Sequence, residues 1–268
     1  MARIEDAATA NFVAHASWAL GTLQSPETRV DTGPELTLVD SGLPSDTFNV
    51  VCAARLQPDD VGETVQRVVR HFADAGRPFS WWVAPGDEPR DLGERLAGLG
   101  LPSPESELAM SADLRAGLPA GRPPGSVPDL RIERVTTPGL LALFARINAE
   151  NWDPPDTVVE AYYRSTAAAF LGGGSPHRFF VAFLEDHAVA AVEVTLAADV
   201  AGVYNLSTRL PYRRRGIGAA LLAHALEDAR SEGYGTAVLQ ATDEGAGLYR
   251  RLGFTEFGVI AEHKPADP

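Results

Sequence analysis

Apolar positions in the second half of the chain change their period from one segment to the next. Leu130–Val135 alternates apolar and charged residues, the two-residue period of a strand. Pro138–Glu150 gathers Leu140, Leu141, Phe144 and Ile147 on one stripe and predicts a helix. Thr157–Leu171 predicts a second, stopped by Gly172-Gly173-Gly174. Strands are expected over Arg178–Leu184, Ala188–Leu196 and Gly202–Thr208, with turns at Asp186-His187 and Ala198–Ala201. Gly216–Glu232 places Ile217, Leu221, Leu222, Ala225, Leu226 and Ala229 on one helical face, with Gly233 as its stop. A strand at Thr236–Ala241, a short helix through Leu252 and terminal strands from Phe254 to His263 follow. The order β-α-α-β-β-β-α-β-α-β describes an α/β (α+β) fold, a mixed β-sheet flanked by helices.

The first half is less periodic. Helices are expected over Ile4–Leu23, Val61–Ala75 and Asp91–Leu99, and strands over Phe48–Leu56, Phe79–Ala84 and Glu107–Leu114. From Phe48 onward this repeats the order of the last five elements of the second half. Adding 153 to a residue number sets Phe48–Arg55 on Ala201–Thr208 and Leu99-Gly100-Leu101 on Leu252-Gly253-Phe254, which suggests an internal repeat. Between the halves, seven of the 14 residues of Arg115–Pro128 are Gly or Pro, the composition of an extended linker. The expected domains are therefore 1–114 and 129–268, joined by 115–128.

Composition narrows the function. Among 268 residues, 36 acidic and 23 basic side chains give a net charge of −13, so neither nucleic acid nor an anionic membrane is an expected partner. The single cysteine, Cys52, excludes an intrachain disulfide and reads as a small buried apolar residue or, less simply, a nucleophile. The N-terminus has acids where a signal peptide needs a basic start. The most apolar stretch, Val181–Leu206, is interrupted by Glu185, Asp186, Glu193 and Asp199. A cytoplasmic protein is expected. No His/Cys/Asp cluster has metal-ligand spacing, so no metal is expected.

The stretch Tyr204–Leu222 concentrates the chemistry. A strand ends near Thr208, a Pro-containing turn follows, and Arg213–Gly218 forms R-x-x-G-x-G at a helix start. Glycines there let a ligand approach the backbone closely, and the helix dipole favours an anion. Arg213, Arg214 and Arg215 add local positive charge, which together suits a pyrophosphate. A dinucleotide fingerprint fails because Leu221 stands where the third Gly belongs, and a Walker loop fails for want of its Lys-Ser/Thr pair.

The motif, the strand Asn205-Leu206-Ser207-Thr208 before it and the later Tyr249-Arg250-Arg251-Leu252-Gly253-Phe254 together resemble the GNAT superfamily of acyl-CoA-dependent N-acetyltransferases, over roughly Leu130–His263. The resemblance implies that strands Gly202–Thr208 and Thr236–Ala241 splay and that acetyl-CoA is the co-substrate, its pantetheine arm held along Leu206, Ser207 and Thr208. It implies that the Leu206 N–H stabilises the thioester oxyanion and that Arg213, Arg214, Arg215, Gly216, Ile217, Gly218 and Ala219 hold the pyrophosphate. Tyr249 would be the general acid toward the thiolate, or a packed side chain with its hydroxyl at the surface. The family's catalytic Glu position falls on Gly202, so the base must lie elsewhere. Glu193, in an otherwise apolar strand on the face of Ala191 and Thr195, is the best candidate, with a pKa raised by apolar surroundings; it could instead face solvent or a structural Arg. Glu150 and Asp156, flanking Trp152, could select the substrate or be surface acids. His177, His187 and His263 receive no role.

The implied activity is acetyl transfer to a primary amine, a small-molecule acceptor in the first instance, by direct attack. A non-catalytic acyl-CoA sensor and a longer acyl donor stay open, as does a homodimer. The 153-residue offset sets acidic residues Asp60 and Glu63 where the arginine loop lies and Leu96 at Tyr249, so the N-terminal half reads as a degenerate GNAT-like domain that binds no CoA. Trp81 and Trp82 would pack its core or wall the acceptor cleft.

Overall fold

The computed structural model describes residues 3–23, 25–103, 105–117 and 127–266. The expected linker Arg115–Pro128 lies for the most part outside them. The chain forms two compact units, Met1–Ala109 with Phe257–Pro268, and Met110–Glu256. This departs from a division at 115–128. The last residues of the chain return to the first unit, a destination that periodicity cannot encode, because a strand's pattern does not name its neighbour.

The first unit opens with helix α1 (Ile4–Leu23). Strands β1 (Arg29–Thr32) and β2 (Thr37–Asp40) form an antiparallel hairpin that the sequence did not signal: β1 is short and largely exposed, and β2 ends on an acid. β3 (Val50–Cys52) pairs antiparallel with β2 and parallel with β4 (Ser80–Val83). β3 is shorter than the expected Phe48–Leu56 because Ala53 turns into the left-handed region, with φ 57°. Helix α2 (Val61–Ala75) buries Val61, Val65, Val68 and Phe72, and Phe72 stacks on Phe79 with centroids 4.6 Å apart. Trp81 is wholly buried in this core, whereas Trp82 is half-buried. Helix α3 (Leu92–Gly98) adds Leu92 and Leu96. β5 (Glu105–Asp113) runs on into the second unit.

The second unit is built on β6 (Leu130–Arg134), β7 (His177–Leu184), β8 (His187–Ala197), β9 (Val200–Thr208) and β10 (Thr236–Ala241). The spatial order is β6-β7-β8-β9-β10, antiparallel up to β9 and parallel between β9 and β10. Helices α4 (Pro138–Ala149) and α5 (Thr157–Phe170) are capped at their N-termini by Thr137 and Asp156. Helix α6 (Ile217–Ser231) buries the apolar face expected of it, and α7 (Asp243–Arg251) is capped by Thr242. β8 is buried from Ala188 through Leu196, as a strand covered on both faces must be. The final strand β11 (Thr255–His263) leaves this unit at Glu256. Its remainder pairs antiparallel with β4, from Ala261 opposite Val83 to His263 opposite Trp81. His263 is a buried structural histidine whose Nδ1 lies 2.8 Å from the Leu101 carbonyl. Among the described residues, no helix is long and apolar enough to cross a membrane.

Candidate active site

The parallel pair β9/β10 runs through Ala201↔Ala237, Gly202↔Val238 and Val203↔Leu239 and stops there, although β9 continues to Thr208 and β10 to Ala241. On its other edge β9 stays paired with β8, from Glu193↔Tyr204 to Ala190↔Thr208. A bulge interrupts that ladder. Asn205 and Leu206 on β9 face the single residue Val192 on β8, between the pairs Glu193↔Tyr204 and Ala191↔Ser207. Asn205 is left-handed, φ 54°, a region in which Asn is among the few tolerated side chains. Leu206, Ser207 and Thr208 thus lie where β9 has parted from β10 and gone through a bulge.

Glu193 stands directly behind this bulge and is 1% exposed. Its surroundings are not the apolar ones expected from the strand. Oε1 lies 2.8 Å from His177 Nδ1 and accepts from Thr195 Oγ1 at 3.3 Å, while Oε2 accepts from Asn205 Nδ2 at 2.9 Å and Tyr163 Oη at 3.4 Å. Thr195 lies two residues along the same strand, but His177, Tyr163 and Asn205 come from β7, α5 and β9, and no local pattern could have announced them. They compensate a carboxylate that burial alone would make very costly. Burial, and then the nearby Glu193 charge, push the Tyr163 phenol well above its ordinary range, which keeps it a donor. Tyr162 is shifted in the same direction for the same reasons. His177, given no role from sequence, is thus a member of this group, as is Tyr163.

At the end of β9 the chain makes a short 3-10 turn, Leu210–Tyr212, and enters α6 through two left-handed residues, Arg214 (φ 63°) and Gly216 (φ 83°). Gly216 is the N-cap and supplies no side-chain cap to the first-turn amides of Ile217, Gly218 and Ala219, which point along the axis. Gly218 packs against β9: a Cβ there would sit 3.3 Å from Thr208 Oγ1. Arg213, Arg214 and Arg215 are exposed. Arg213 Nε donates to the Thr208 carbonyl at 2.9 Å, and the Arg215 guanidinium lies 5.7 Å from the Tyr212 ring centroid.

Glu150 and Asp156, the acids that flank Trp152, both have structural partners. Glu150 accepts from Arg209 Nη2 at 2.8 Å, and Asp156 caps α5 through the Val158 N–H at 2.8 Å. The same loop reaches β9 where Ser207 Oγ donates to Asn151 Oδ1 at 2.8 Å, and it carries Trp152, 45% exposed. Tyr249, on α7, is half-buried, its ring 6.0 Å from that of Phe254.

The first unit contains the same construction with different contents. There the parallel pair ends at Val51↔Trp81, and the left-handed Ala53 follows two residues later, as Asn205 follows Val203. Ala54 therefore corresponds to Leu206, an offset of 152. The helices α2 and α6 begin 156 residues apart, so a fixed 153 does not hold across the loop: Asp60, not Glu63, is the counterpart of Gly216. At the next helix 153 does hold. The Leu101 N–H bonds the Leu96 carbonyl at 2.9 Å as the Phe254 N–H bonds that of Tyr249 at 3.1 Å. The gap beside Ala54 is filled by the chain itself. The Glu88 N–H donates to the Ala54 carbonyl at 2.9 Å, and the Leu56 N–H to the Glu88 carbonyl at 3.0 Å, a parallel bridge. The neighbouring Asp87 carboxyl accepts from the Ala84 N–H at 3.1 Å and also from the Ala54 N–H.

Residues 142–254 match the model of the acetyltransferase (GNAT) family. No protein of curated function matches the chain in sequence. Among solved structures, a GCN5-related N-acetyltransferase from Kribbella flavida is similar with TM-score 0.72 and 19% identity, over 97% of this chain and 96% of that one. One from Sphaerobacter thermophilus gives 0.61 and 18%, over 98% and 93%. A tandem GNAT protein from the clavulanic acid biosynthesis pathway, solved without AcCoA, gives 0.61 and 14%, over 100% and 98%. These likenesses show a shared two-domain fold.

Proposed function

We propose that the protein, whose residues 142–254 match the acetyltransferase (GNAT) family model, is a cytoplasmic N-acetyltransferase that moves an acetyl group from acetyl-CoA to a primary amine, a small molecule in the first instance. The observation that carries this reading is the parting of β9 from β10 after Val203, directly ahead of a helix whose N-cap is a left-handed glycine. Unpaired backbone at a strand edge needs hydrogen-bond partners, and the amides of a pantetheine arm are of the right kind. In this reading Leu206, Ser207 and Thr208 hold that arm. The amides from Arg213 to Ala219, with the three arginines, hold the pyrophosphate at the positive end of α6.

For the chemistry, the amine nitrogen attacks the thioester carbonyl carbon and the C–S bond breaks. The Leu206 N–H stabilises the negative charge that develops on the carbonyl oxygen. Tyr249 gives its proton to the departing sulfur, and Glu193 is the proposed acceptor of the amine proton. At 1% exposure, Glu193 must receive that proton through an intervening group. The same burial, with both carboxylate oxygens engaged, favours a second reading in which Glu193 only supports the strand and the domain binds acyl-CoA without transferring it.

The first unit is proposed to bind no CoA. Its corresponding gap is occupied by Glu88 backbone and the Asp87 carboxyl, and Asp60 replaces the N-cap glycine. Titration calorimetry with acetyl-CoA is expected to give one site per chain, and a panel of amines to give CoA release with at least one member. Two sites would refute the silence of the first unit. Binding without release for any amine would favour the second reading, and no binding would end both.

A further inference from the structure

Asn205 makes two hydrogen bonds from one nitrogen. Nδ2 donates to Glu193 Oε2 at 2.9 Å and to Tyr163 Oη at 3.1 Å. An amide NH2 has two hydrogens, so each bond takes one. The residue is also the left-handed member of the β9 bulge and the immediate neighbour of Leu206. Its peptide is shared with Leu206: the plane that contains the Leu206 N–H is set by the ψ of Asn205. A side chain that anchors Asn205 to a buried carboxylate therefore fixes the direction of the next amide. Glu193 is in turn bonded to His177 and Thr195 through its other oxygen, so the anchor has partners on both sides.

We infer that Asn205 is a positioning residue. Clamped to Glu193 and Tyr163, it locks the bulge so that the Leu206 N–H is aimed at the acyl carbonyl of the bound thioester. This inference rests on the proposed binding of acetyl-CoA at β9. It gives Glu193 a task that needs no access to the amine, and it explains why a left-handed position carries Asn: Gly would permit the backbone turn but could not hold it.

The test reads the carbonyl directly. Acetyl-CoA labelled with 13C at the thioester carbonyl is bound to the full chain, and its infrared stretch is recorded beside a calorimetric Kd. With wild type the stretch moves to lower frequency on binding, as a carbonyl polarised by an amide donor must. Asn205→Gly keeps the permitted φ and loses both bonds. It is expected to bind acetyl-CoA with Kd changed by no more than about fivefold, because an oxyanion donor acts mainly in the transition state, while most of the frequency shift is lost. Glu193→Gln retains an oxygen that can accept from Asn205, so it keeps the shift, whereas Glu193→Ala loses it. A merely structural role would lower the melting temperature and leave the frequency of the folded complex unchanged. A wild-type shift preserved in Asn205→Gly overturns the inference and leaves the functional reading standing, as does wild-type binding with no shift. Absence of acetyl-CoA binding to wild type overturns both.

Discussion

Replacing Asp87 by Asn probes the carboxyl that fills the first unit's cleft. Asp87 is 6% exposed. Burial raises its pKa from the usual 3.8 to about 7, against the smaller opposing effects of the Ala84 and Ala54 N–H groups and the Arg55 charge. Between those values the folded protein holds a proton that the unfolded chain releases. The stability contributed by this group is therefore fully present below about pH 4 and is lost as pH rises through about 7. For a pKa moving from 3.8 to about 7, the part lost between pH 5 and pH 8 is roughly 2.5 kcal/mol. The amide of Asp87→Asn does not titrate. The variant's absolute stability can differ at every pH, since an NH2 replaces one acceptor oxygen, but that offset is constant. Urea unfolding of both proteins at pH 5 and pH 8 gives the difference at each pH, and the other carboxylates cancel in it. The Asp87→Asn protein should gain on wild type by roughly 2.5 kcal/mol from pH 5 to pH 8. An equal difference at the two pH values would refute a proton held on Asp87 near neutrality.

Gly216→Glu should abolish acetyl-CoA binding through charge and bulk at the N-cap, while a side chain at φ 83° costs the fold only about 1–2 kcal/mol; retained affinity by calorimetry would sink the assigned loop. Tyr249→Phe should leave the Kd for acetyl-CoA near wild type and lower kcat by about 10²-fold or more, the usual worth of a general acid; CoA release at the wild-type rate would remove Tyr249 from the mechanism. Asp40, 1% exposed, accepts from His71 Nε2 at 2.8 Å and Arg77 Nη2 at 2.7 Å. Asp40→Ala leaves those groups without their buried anion and should destabilise the protein by about 3 kcal/mol in urea unfolding; a loss under about 1 kcal/mol would show that the cluster is solvated.

The chain carries in its order of residues whatever depends on near neighbours. The helical face of α6 and the arginine loop ending in Gly216 are short-range features, and hydrophobic period and turn chemistry report them. So do the paired helix ends at Leu99 and Leu252, where backbone bonds span only five residues. Two strands escaped because their signals were weak or mixed: β1 is exposed, and β2 buries Asp40 among apolar residues. Other features needed contacts between segments far apart in sequence. Glu193 looked like a carboxylate in an apolar strand, and only the folding of α5, β7 and β9 around it supplied Tyr163, His177 and Asn205. The parting of β9 from β10, the occupation of the first unit's gap by Glu88, and the return of Ala261–His263 to β4 are pairings of the same kind. Sequence sets which face of a segment is apolar and where it turns, because those are properties of a few consecutive residues. Which backbone edge finds which partner is decided by the whole packed chain, since a main-chain N–H or C=O carries no residue-specific label.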